Sequence, residues 1–228
     1  MKKILSFILV SIALLSLTAC ITALQPLVSY DKIIKDNRIN GSWTHEGETI
    51  IIEPLPTSRF AKDVKEWAGK QGEKVFAFTG DPKKDSILFT NLYAVSFEED
   101  GVSYDMVAEL IRLGNGLYMD LYPAAMNDKK QKEDNTDPYN FNYDYVGGFT
   151  MAKVEITGNS NITLKFLNGD FIKEQITGGK MKLKHEKNEL FDTFLITAST
   201  QELQLFVEKY GNDERIYSKE TTISLTKK

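Results

Sequence analysis

The chain has 228 residues, of which 42% are hydrophobic, 26% charged and 11% aromatic, and its formal net charge is −4. This composition excludes a collagen, a coiled coil, a disulfide-stapled miniprotein and a long disordered chain. A mean hydropathy of −0.29, with no apolar run of about 18 residues beyond the N-terminus, also excludes a polytopic membrane protein. The acidic balance argues against a nucleic-acid partner, because neutralising phosphates needs a basic face.

The N-terminus has the two leading parts of a secretory signal peptide. Two lysines form a short positive region, and the apolar stretch Ile4–Leu17 follows with only serines as interruptions. The stretch ends Leu17-Thr18-Ala19-Cys20, with small residues directly before the only cysteine. This ending resembles the lipobox of bacterial lipoproteins. The resemblance implies cleavage of residues 1–19, a diacylglycerol on the Cys20 sulfur and an acyl chain on the new amino group. The alternative is a free Cys20 thiol in an uncleaved anchor.

A lipidated Cys20 predicts that the lipid bilayer is a partner of this protein through the anchor alone. Each buried acyl methylene contributes about 0.8 kcal/mol, so two or three chains hold a protein durably. Removing residues 1–19 takes away two of the 28 basic residues and leaves 26 against 32 acidic ones, a net charge of −6. A protein with this negative net charge is not attracted electrostatically to an anionic lipid surface. By resemblance to Gram-negative lipoproteins, Ile21 in place of an aspartate after the cysteine implies the outer membrane, facing the periplasm.

The mature chain divides into a short tether and one β-rich domain. Residues 20–37 show no clear period and are interpreted as the lipidated cysteine and its tether, and residues 38–228 as the domain. In the domain, apolar and polar residues alternate, which is typical of half-buried antiparallel strands. The alternation recurs at Tyr93, Val95 and Phe97; at Val102, Tyr104, Met106, Ala108 and Leu110; at Leu117, Met119 and Leu121; at Ala152, Val154 and Ile156; and at Ile162, Leu164 and Phe166. Turn residues at Glu99-Asp100-Gly101, Asn115-Gly116 and Gly158-Asn159 predict tight hairpins between these strands.

Three stretches change to a helical period. Residues 60–68 and Phe171–Ile176 each carry one apolar face. The third, Leu203–Tyr210, is preceded by a capping box of Ser199 and Glu202 and is followed by Gly211, which we expect in the left-handed C-cap conformation. The predicted fold class is therefore mainly β: an antiparallel meander that closes into a barrel or half-barrel, with two or three short helices including one near the C-terminus.

A polar, charged stretch interrupts the strands at residues 127–138 and is predicted to be a mobile loop, because it lacks the apolar area that would offset its ordering entropy. Four aromatic residues follow at every second position: Tyr139, Phe141, Tyr143 and Tyr145. They are interpreted either as an edge strand that packs on the barrel or as a flap that closes a ligand mouth.

Few residues in the sequence indicate chemistry. His45 and His185 lack a second histidine or a cysteine at metal-ligand spacing, so we expect no metal site and interpret both as residues at strand ends. No nucleophile elbow, phosphate-binding loop or dinucleotide fingerprint is present, and no catalytic residue is assigned. Asp120 lies between Tyr118 and Tyr122; it either lines a cavity, if its strand face points inward, or is an ordinary surface acid, if it points outward.

Asn40-Gly41-Ser42-Trp43, at the first strand of the domain, resembles the Gly-x-Trp feature of lipocalins. With the lipobox, the segment Leu121-Tyr122-Pro123 and the later segment 195–204, the mature chain is similar to a group of lipocalin-like lipoproteins of Bacteroidetes. That group carries no established activity, so the resemblance implies a lipocalin-like fold and an envelope location only. Lipocalins pack a basic residue on the first-strand tryptophan, and Arg215 is the candidate for that contact with Trp43.

Three functions stay open from the sequence. The first is a cup-shaped module that binds a small apolar or amphipathic ligand, which is motivated by the alternating strands and aromatic segments. Its expected lining residues are Trp43, Tyr93, Tyr104, Met106 and Tyr118, and packing in a core is the alternative for each. The second is an envelope interaction or scaffold protein whose barrel is filled by side chains. The third, least favoured, is an envelope hydrolase that uses Asp120. No cofactor is expected apart from the covalent lipid on Cys20.

Overall fold

The computed structural model describes residues 21–62, 64–65, 81–99, 102–128, 148–188 and 193–228. In these residues three α-helices and twelve strands are present, two of the strands only two residues long. The helices are α1 (Pro82–Asn91), α2 (Gly169–Thr177) and α3 (Thr200–Tyr210). The strands are β1 (Thr22–Ala23), β2 (Ile33–Ile34), β3 (Gly41–His45), β4 (Glu48–Pro54), β5 (Tyr93–Glu99), β6 (Val102–Leu113), β7 (Gly116–Asp128), β8 (Phe149–Thr157), β9 (Asn161–Leu167), β10 (His185–Asn188), β11 (Thr193–Ile196) and β12 (Tyr217–Lys227).

Eight antiparallel strands close into a barrel, and this confirms the predicted fold class. Strands β3 to β9 pair in chain order, and β12 pairs with both β9 and β3 to complete the ring. The longest ladder joins β6 to β7, where the register places Leu110 opposite Met119 and Glu109 opposite Asp120. Short turns join β6 to β7 and β8 to β9, as the turn residues of the sequence predict, whereas β4 and β5 are joined by a long connection that contains α1.

The alternation of the strands places one set of apolar side chains inside the barrel. All eight barrel strands contribute to this interior cluster. Its fully or nearly fully buried members include Trp43 on β3 and Met119 on β7, which are 0% and 1% exposed. Burial of apolar surface on this scale supplies the main stabilisation of the domain, at roughly 25 cal/mol per Å² of apolar area.

A second layer covers the outer face of β6, β7 and β8. Outward-facing residues of these strands, among them Ile111, Tyr118 and Met151, share one hydrophobic cluster with helices α2 and α3. Helix α1 packs on the neighbouring outer face through Leu88, which is completely buried in a further cluster with Val107 of β6. The predicted C-terminal helix therefore packs against the outer face of the barrel and not against an open end.

The segment that we predicted to be a tether is part of the fold where the structure describes it. Strand β1 pairs antiparallel with β8 and parallel with β11, and β10 adds to β11, so a small sheet extends from the barrel. Ile21 is 5% exposed, and Leu27 and Val28 are fully buried in the outer cluster. The interpretation of residues 21–37 as a free tether is corrected, because these apolar side chains fill the space between the barrel and α3.

The predicted helices differ from the structure in three details. Helix α2 is confirmed, whereas the helix predicted over residues 60–68 begins with helical residues at 61 and 62 and continues partly outside the described residues. Helix α1 lacks an apolar stripe, but the sequence carries its start signal: the Asp81 carboxylate accepts the N–H of Lys83 at 2.9 Å, and Pro82 occupies the first turn. The third detail concerns the end of α3.

Gly211 ends α3 in a right-handed conformation and not in the left-handed one that we predicted. Its φ is −63°, and its N–H continues the helical pattern by donating to the carbonyl of Val207 at 2.7 Å. A glycine is needed here for another reason, because a Cβ at this position would collide with the Tyr118 hydroxyl. The predicted capping box at the other end of α3 is confirmed, with Ser199 and Glu202 bonded reciprocally.

Candidate functional site

The barrel interior holds three of the five residues that were expected to line a ligand cavity. Trp43, Tyr93 and Met106 belong to the interior cluster or pack directly against it. The Trp43 indole N–H donates to the carbonyl of Ile39 at 2.8 Å, and the Tyr93 hydroxyl donates to the carbonyl of Asp36 at 3.2 Å. Both aromatic polar groups are therefore satisfied by the segment that leads into β3, and their rings are completely buried.

The other two expected lining residues are not members of the interior cluster. Tyr104 is half-buried near the β5–β6 turn and stacks on Phe97 across the ladder, with ring centroids 4.9 Å apart and an interplanar angle of 13°. Tyr118 points away from the interior and belongs to the outer cluster beneath α3. Its neighbours Leu117 and Met119 point inward, because adjacent side chains of a strand face opposite sides.

The basic residue over Trp43 is Lys227 and not Arg215. The Lys227 ammonium lies 5.3 Å from the centre of the Trp43 ring, because β12 pairs with β3 and places these residues opposite each other. The Arg215 guanidinium lies 5.8 Å from the Phe171 ring and forms an ion pair with Asp213 at 2.7 Å. The expectation for Arg215 is thus corrected, and the last strand supplies the cation.

Asp120 fits neither interpretation of the sequence, because it points outward and is nevertheless 1% exposed. Residues 27 and 28 cover it, and one carboxylate oxygen, Oδ2, accepts the N–H of Leu27 at 2.5 Å and the N–H of Val28 at 3.0 Å. Burial raises the pKa of the Asp120 carboxyl to about 7, and the two backbone hydrogen bonds oppose that rise. A carboxyl so enclosed is a buried clamp for the N-terminal segment and does not reach a substrate in this structure.

Gln204 holds the same segment from the other side. Its amide nitrogen donates to the carbonyl of Leu27 at 2.9 Å and to the hydroxyl of Ser29 at 3.2 Å. Its amide oxygen accepts from the Lys32 ammonium at 2.7 Å. The N-terminal segment is therefore fastened between barrel strand β7 and helix α3 by two buried polar side chains, a contact that local patterns in the sequence do not reveal.

Two further acids are buried on the outer face of β6. The Asp105 carboxylate accepts from the Arg59 guanidinium at 2.5 Å and from the Ser96 hydroxyl at 2.7 Å. Glu109 is 1% exposed and lies opposite Asp120 in the β6–β7 ladder. Among the described residues no group of histidine, cysteine, aspartate or glutamate side chains is arranged to hold a metal ion. The alternating pattern of β6 predicted these acids as outward-facing, and only the second layer buries them.

An open groove lies on the second layer, between α3 and the segment that joins α2 to β10. Its volume is about 660 Å³. One wall is a face of α3 with residues at helical spacing, and the other is the segment that follows α2. The lining consists of Ile176, Gly179, Lys180, Met181, Lys182, Leu183, Lys184, His185, Glu202, Leu205, Phe206, Lys209 and Tyr210. Its size falls in the range of small-molecule sites, about 300–1,000 Å³.

The floor of the groove is apolar and its rim is basic. Met181 and Phe206 are 6% and 4% exposed and connect the floor to the outer cluster. Leu205 is 58% exposed, which is unusual for a large apolar side chain on an amphipathic helix. Four lysines and one glutamate line the groove. The sequence carried one signal for this groove, because Leu205 is an apolar residue that lies outside the apolar stripe of α3.

The histidines lie at strand ends, as their placement in the sequence predicted. His45 ends β3, and its Nδ1 lies 3.1 Å from the carbonyl oxygen of Ser224. His185 begins β10, stacks on Phe194 at 4.7 Å and has its Nδ1 2.9 Å from the carbonyl oxygen of Leu183. His185 also borders the groove, with its ring engaged in that stack.

Several expectations concern residues outside the described part of the chain. These are the signal peptide, the lipidation of Cys20, the loop from residue 129 onward and the aromatic run Tyr139–Tyr145. Within the described residues no helix has the length and apolar character needed to cross a membrane. Comparison with known proteins gives no match to a family model, to a curated protein or to a solved structure.

Proposed function

We propose that this protein is a lipid-anchored lipoprotein of the bacterial envelope that binds a small amphipathic molecule in the groove beside α3. The groove is the observation that carries the proposal, because it combines an apolar floor with charged groups at its rim. The interior cluster of the barrel argues for a ligand on the outer layer, since side chains from all eight strands already pack there.

The anchor is the second part of the proposal and is supported by the sequence alone. The lipobox-like residues 17–20 and the basic and apolar residues before them favour acylation of Cys20. Radioactive palmitate fed to an expressing bacterium should label the wild-type chain and not the Cys20→Ala variant. An unlabelled wild-type chain would remove the anchor from the proposal and leave the groove unaffected. Fractionation of the labelled cells tests the outer membrane as its location.

A lipocalin-like relationship is also proposed. It is supported by Trp43 on the first barrel strand, the 3-10 turn Asn37–Ile39 before that strand, and the eight-stranded meander. Lys227 over the Trp43 ring resembles the basic contact that the lipocalin resemblance implies. The groove lies outside the barrel, so the proposed ligand site does not derive from this relationship.

Ligand binding is tested by photo-crosslinking on the full-length chain in nanodiscs of zwitterionic lipid. Photoactivatable amphiphiles with one hydrocarbon chain should crosslink to groove peptides that contain Met181 or Phe206. Leu205→Asp places a charge on the floor and should reduce this crosslinking at least about tenfold. Ile87→Asp is the matched control, because Ile87 is also an exposed apolar residue on a helix, at 54% against 58%, but lies outside the groove. Equal crosslinking in both variants would refute a groove site.

An envelope interaction or scaffold protein is the second candidate, and the interior cluster of the barrel favours it. In that case the groove and the outer layer would contact another protein. Crosslinking in intact cells, with a photoreactive residue at position 205 and at position 87 as control, distinguishes the two. A protein adduct specific to position 205 supports the scaffold, and a lipid adduct there supports ligand binding.

A further inference from the structure

We infer that the groove selects an anionic amphiphile, with its single hydrocarbon chain on the apolar floor and its acidic head group held by the lysine rim. This inference rests on the proposed binding function and adds the charge of the ligand. It concerns Lys180, Lys182, Lys184 and Lys209, which no catalytic or structural role described above requires.

Three of the four lysines lie on the wall formed by the segment that follows α2. Met181 on this wall is 6% exposed and Leu183 is half-buried, whereas Lys180, Lys182 and Lys184 are all exposed. These three lysines line the groove, and Lys209 lines it from α3, with its ammonium 4.9 Å from the Tyr210 ring centre.

The acid at the rim is already engaged in the helix cap. The Glu202 carboxylate accepts the N–H of Ser199 at 2.7 Å and its hydroxyl at 2.8 Å, and these bonds hold the pKa of Glu202 below its usual range. The lining of the groove therefore contains four lysines and one glutamate, whereas the whole chain carries a net charge of −4. A local positive field attracts anions to this groove even though the protein as a whole is acidic.

The apolar surface of the groove indicates that the ligand also carries a hydrocarbon chain. The exposed Leu205 and the half-buried Leu183 and Tyr210 present hydrocarbon surface in the same groove as the lysines, so a purely polar anion would leave this surface in water. A hydrocarbon chain buries it, at about 0.8 kcal/mol per methylene. A carboxylate or a phosphate monoester is the head group that ammonium groups pair with. The ligand class is therefore a fatty acid or another single-chain acidic lipid.

The test compares photoactivatable amphiphiles that share one chain and differ in the head group: carboxylate, phosphate monoester, neutral maltoside and quaternary ammonium. The full-length protein in zwitterionic nanodiscs is used, and adducts are located by mass spectrometry. We expect either acidic probe to label groove peptides at least about tenfold more than the neutral and cationic ones. The ratio between carboxylate and phosphate then identifies which acidic head group is preferred.

The lysines are tested by the double variant Lys182→Glu with Lys184→Glu. Both side chains are exposed, so the fold should persist, which circular dichroism checks. The variant should lose the preference for acidic probes, whereas Lys182→Arg with Lys184→Arg should keep it. Lys83→Glu with Lys219→Glu reverses the same number of exposed charges outside the groove and should change nothing.

The outcomes separate this inference from the proposed function. Labelling of the groove by neutral and acidic probes alike, unaffected by the lysine reversal, would overturn the inference and leave amphiphile binding intact. Failure of every probe to label the groove would refute the proposed function itself.

Discussion

The carboxylate of Asp120 on β7 accepts the backbone N–H of Val28, ninety-two residues earlier in the chain, at 3.0 Å. This bond, with its companion from Leu27, fastens the segment that follows the proposed anchor to the outer face of the barrel. If Cys20 is acylated, little free chain separates the lipid from the folded domain, since Ile21 is already buried.

Replacing Asp120 should release this segment. In Asp120→Ala two buried N–H donors lose their acceptor, at about 1–3 kcal/mol each, so we expect the free energy of unfolding to fall by about 2–4 kcal/mol. Asp120→Asn keeps an acceptor oxygen and should cost less. Urea denaturation measures the change, and hydrogen exchange over residues 21–30 should accelerate in Asp120→Ala. The exposed Asp31→Asn is the control; an unchanged exchange rate in Asp120→Ala would contradict the clamp.

The stability of the domain should depend on the protonation of Asp120. Its pKa is about 7 in the folded protein against 3.8 for the ordinary group, so the folded state binds more protons between these values. The contribution of Asp120 to the free energy of unfolding is therefore fully present below pH 4. It decreases by at most about 4 kcal/mol as the pH rises to about 7. Acids with lowered pKa values, such as Asp213 beside the Arg215 guanidinium, act in the opposite direction.

Comparing the wild type with Asp120→Asn isolates this contribution, because the other acids are common to both, including Glu109 opposite Asp120. Chemical denaturation at pH 4, 5.5 and 7 should show the wild type losing its advantage over the variant as the pH rises. A difference that stays constant or grows with pH would show that the carboxyl is ionised throughout.

Lys227, and not Arg215, should affect the fluorescence of Trp43 and the stability that its contact with the indole ring provides. Removing the ammonium in Lys227→Met should lower the free energy of unfolding by about 0.5–1 kcal/mol, as expected for a cation over an indole at an exposed site. In a Trp67→Phe background the fluorescence of Trp43 should shift in Lys227→Met. It should not shift in Arg215→Met, because that guanidinium lies over Phe171; the reverse pattern would restore the expectation for Arg215.

Truncating a side chain at the centre of the barrel should be costly. Met119 is 1% exposed among interior residues of neighbouring strands, so Met119→Ala should leave a cavity and cost about 2–5 kcal/mol. Leu205→Ala, on the exposed groove floor, should change stability by less than about 0.5 kcal/mol. Thermal and urea denaturation measure both. A mild effect at Met119 would indicate a loosely packed interior with room for a ligand.

Breaking the capping box should weaken α3 at the end that borders the groove. Ser199→Ala removes the hydroxyl that accepts the N–H of Glu202 and should cost about 1 kcal/mol. Gln201→Ala, at an exposed position in the first turn of the same helix, is the control and should be nearly neutral. Equal midpoints for the two variants in urea would show that the cap does not support the helix.

The sequence alone determined the meander, most of the inward-facing residues and the start of α3. These features depend on neighbours in the chain: alternation fixes which side chains share a strand face, and Ser199 with Glu202 forms a local cap. Tertiary structure decided what lies on the outer face. Alternation placed Asp120 on the strand face opposite Met119 but left open whether that face pointed inward or outward, and only the packing of residues 27–28 over it made it a buried clamp.

The same division holds for the groove and for the cation over Trp43. The alternation of lysines with Met181 and Leu183 was visible in the chain, yet the opposite wall comes from α3, which the packing of the second layer brings alongside. Lys227 reaches Trp43 only because the barrel closes between the first and last strands. Periodicity specifies the face of a strand or helix, whereas contacts between distant segments depend on how all faces are buried together, and no local pattern encodes that.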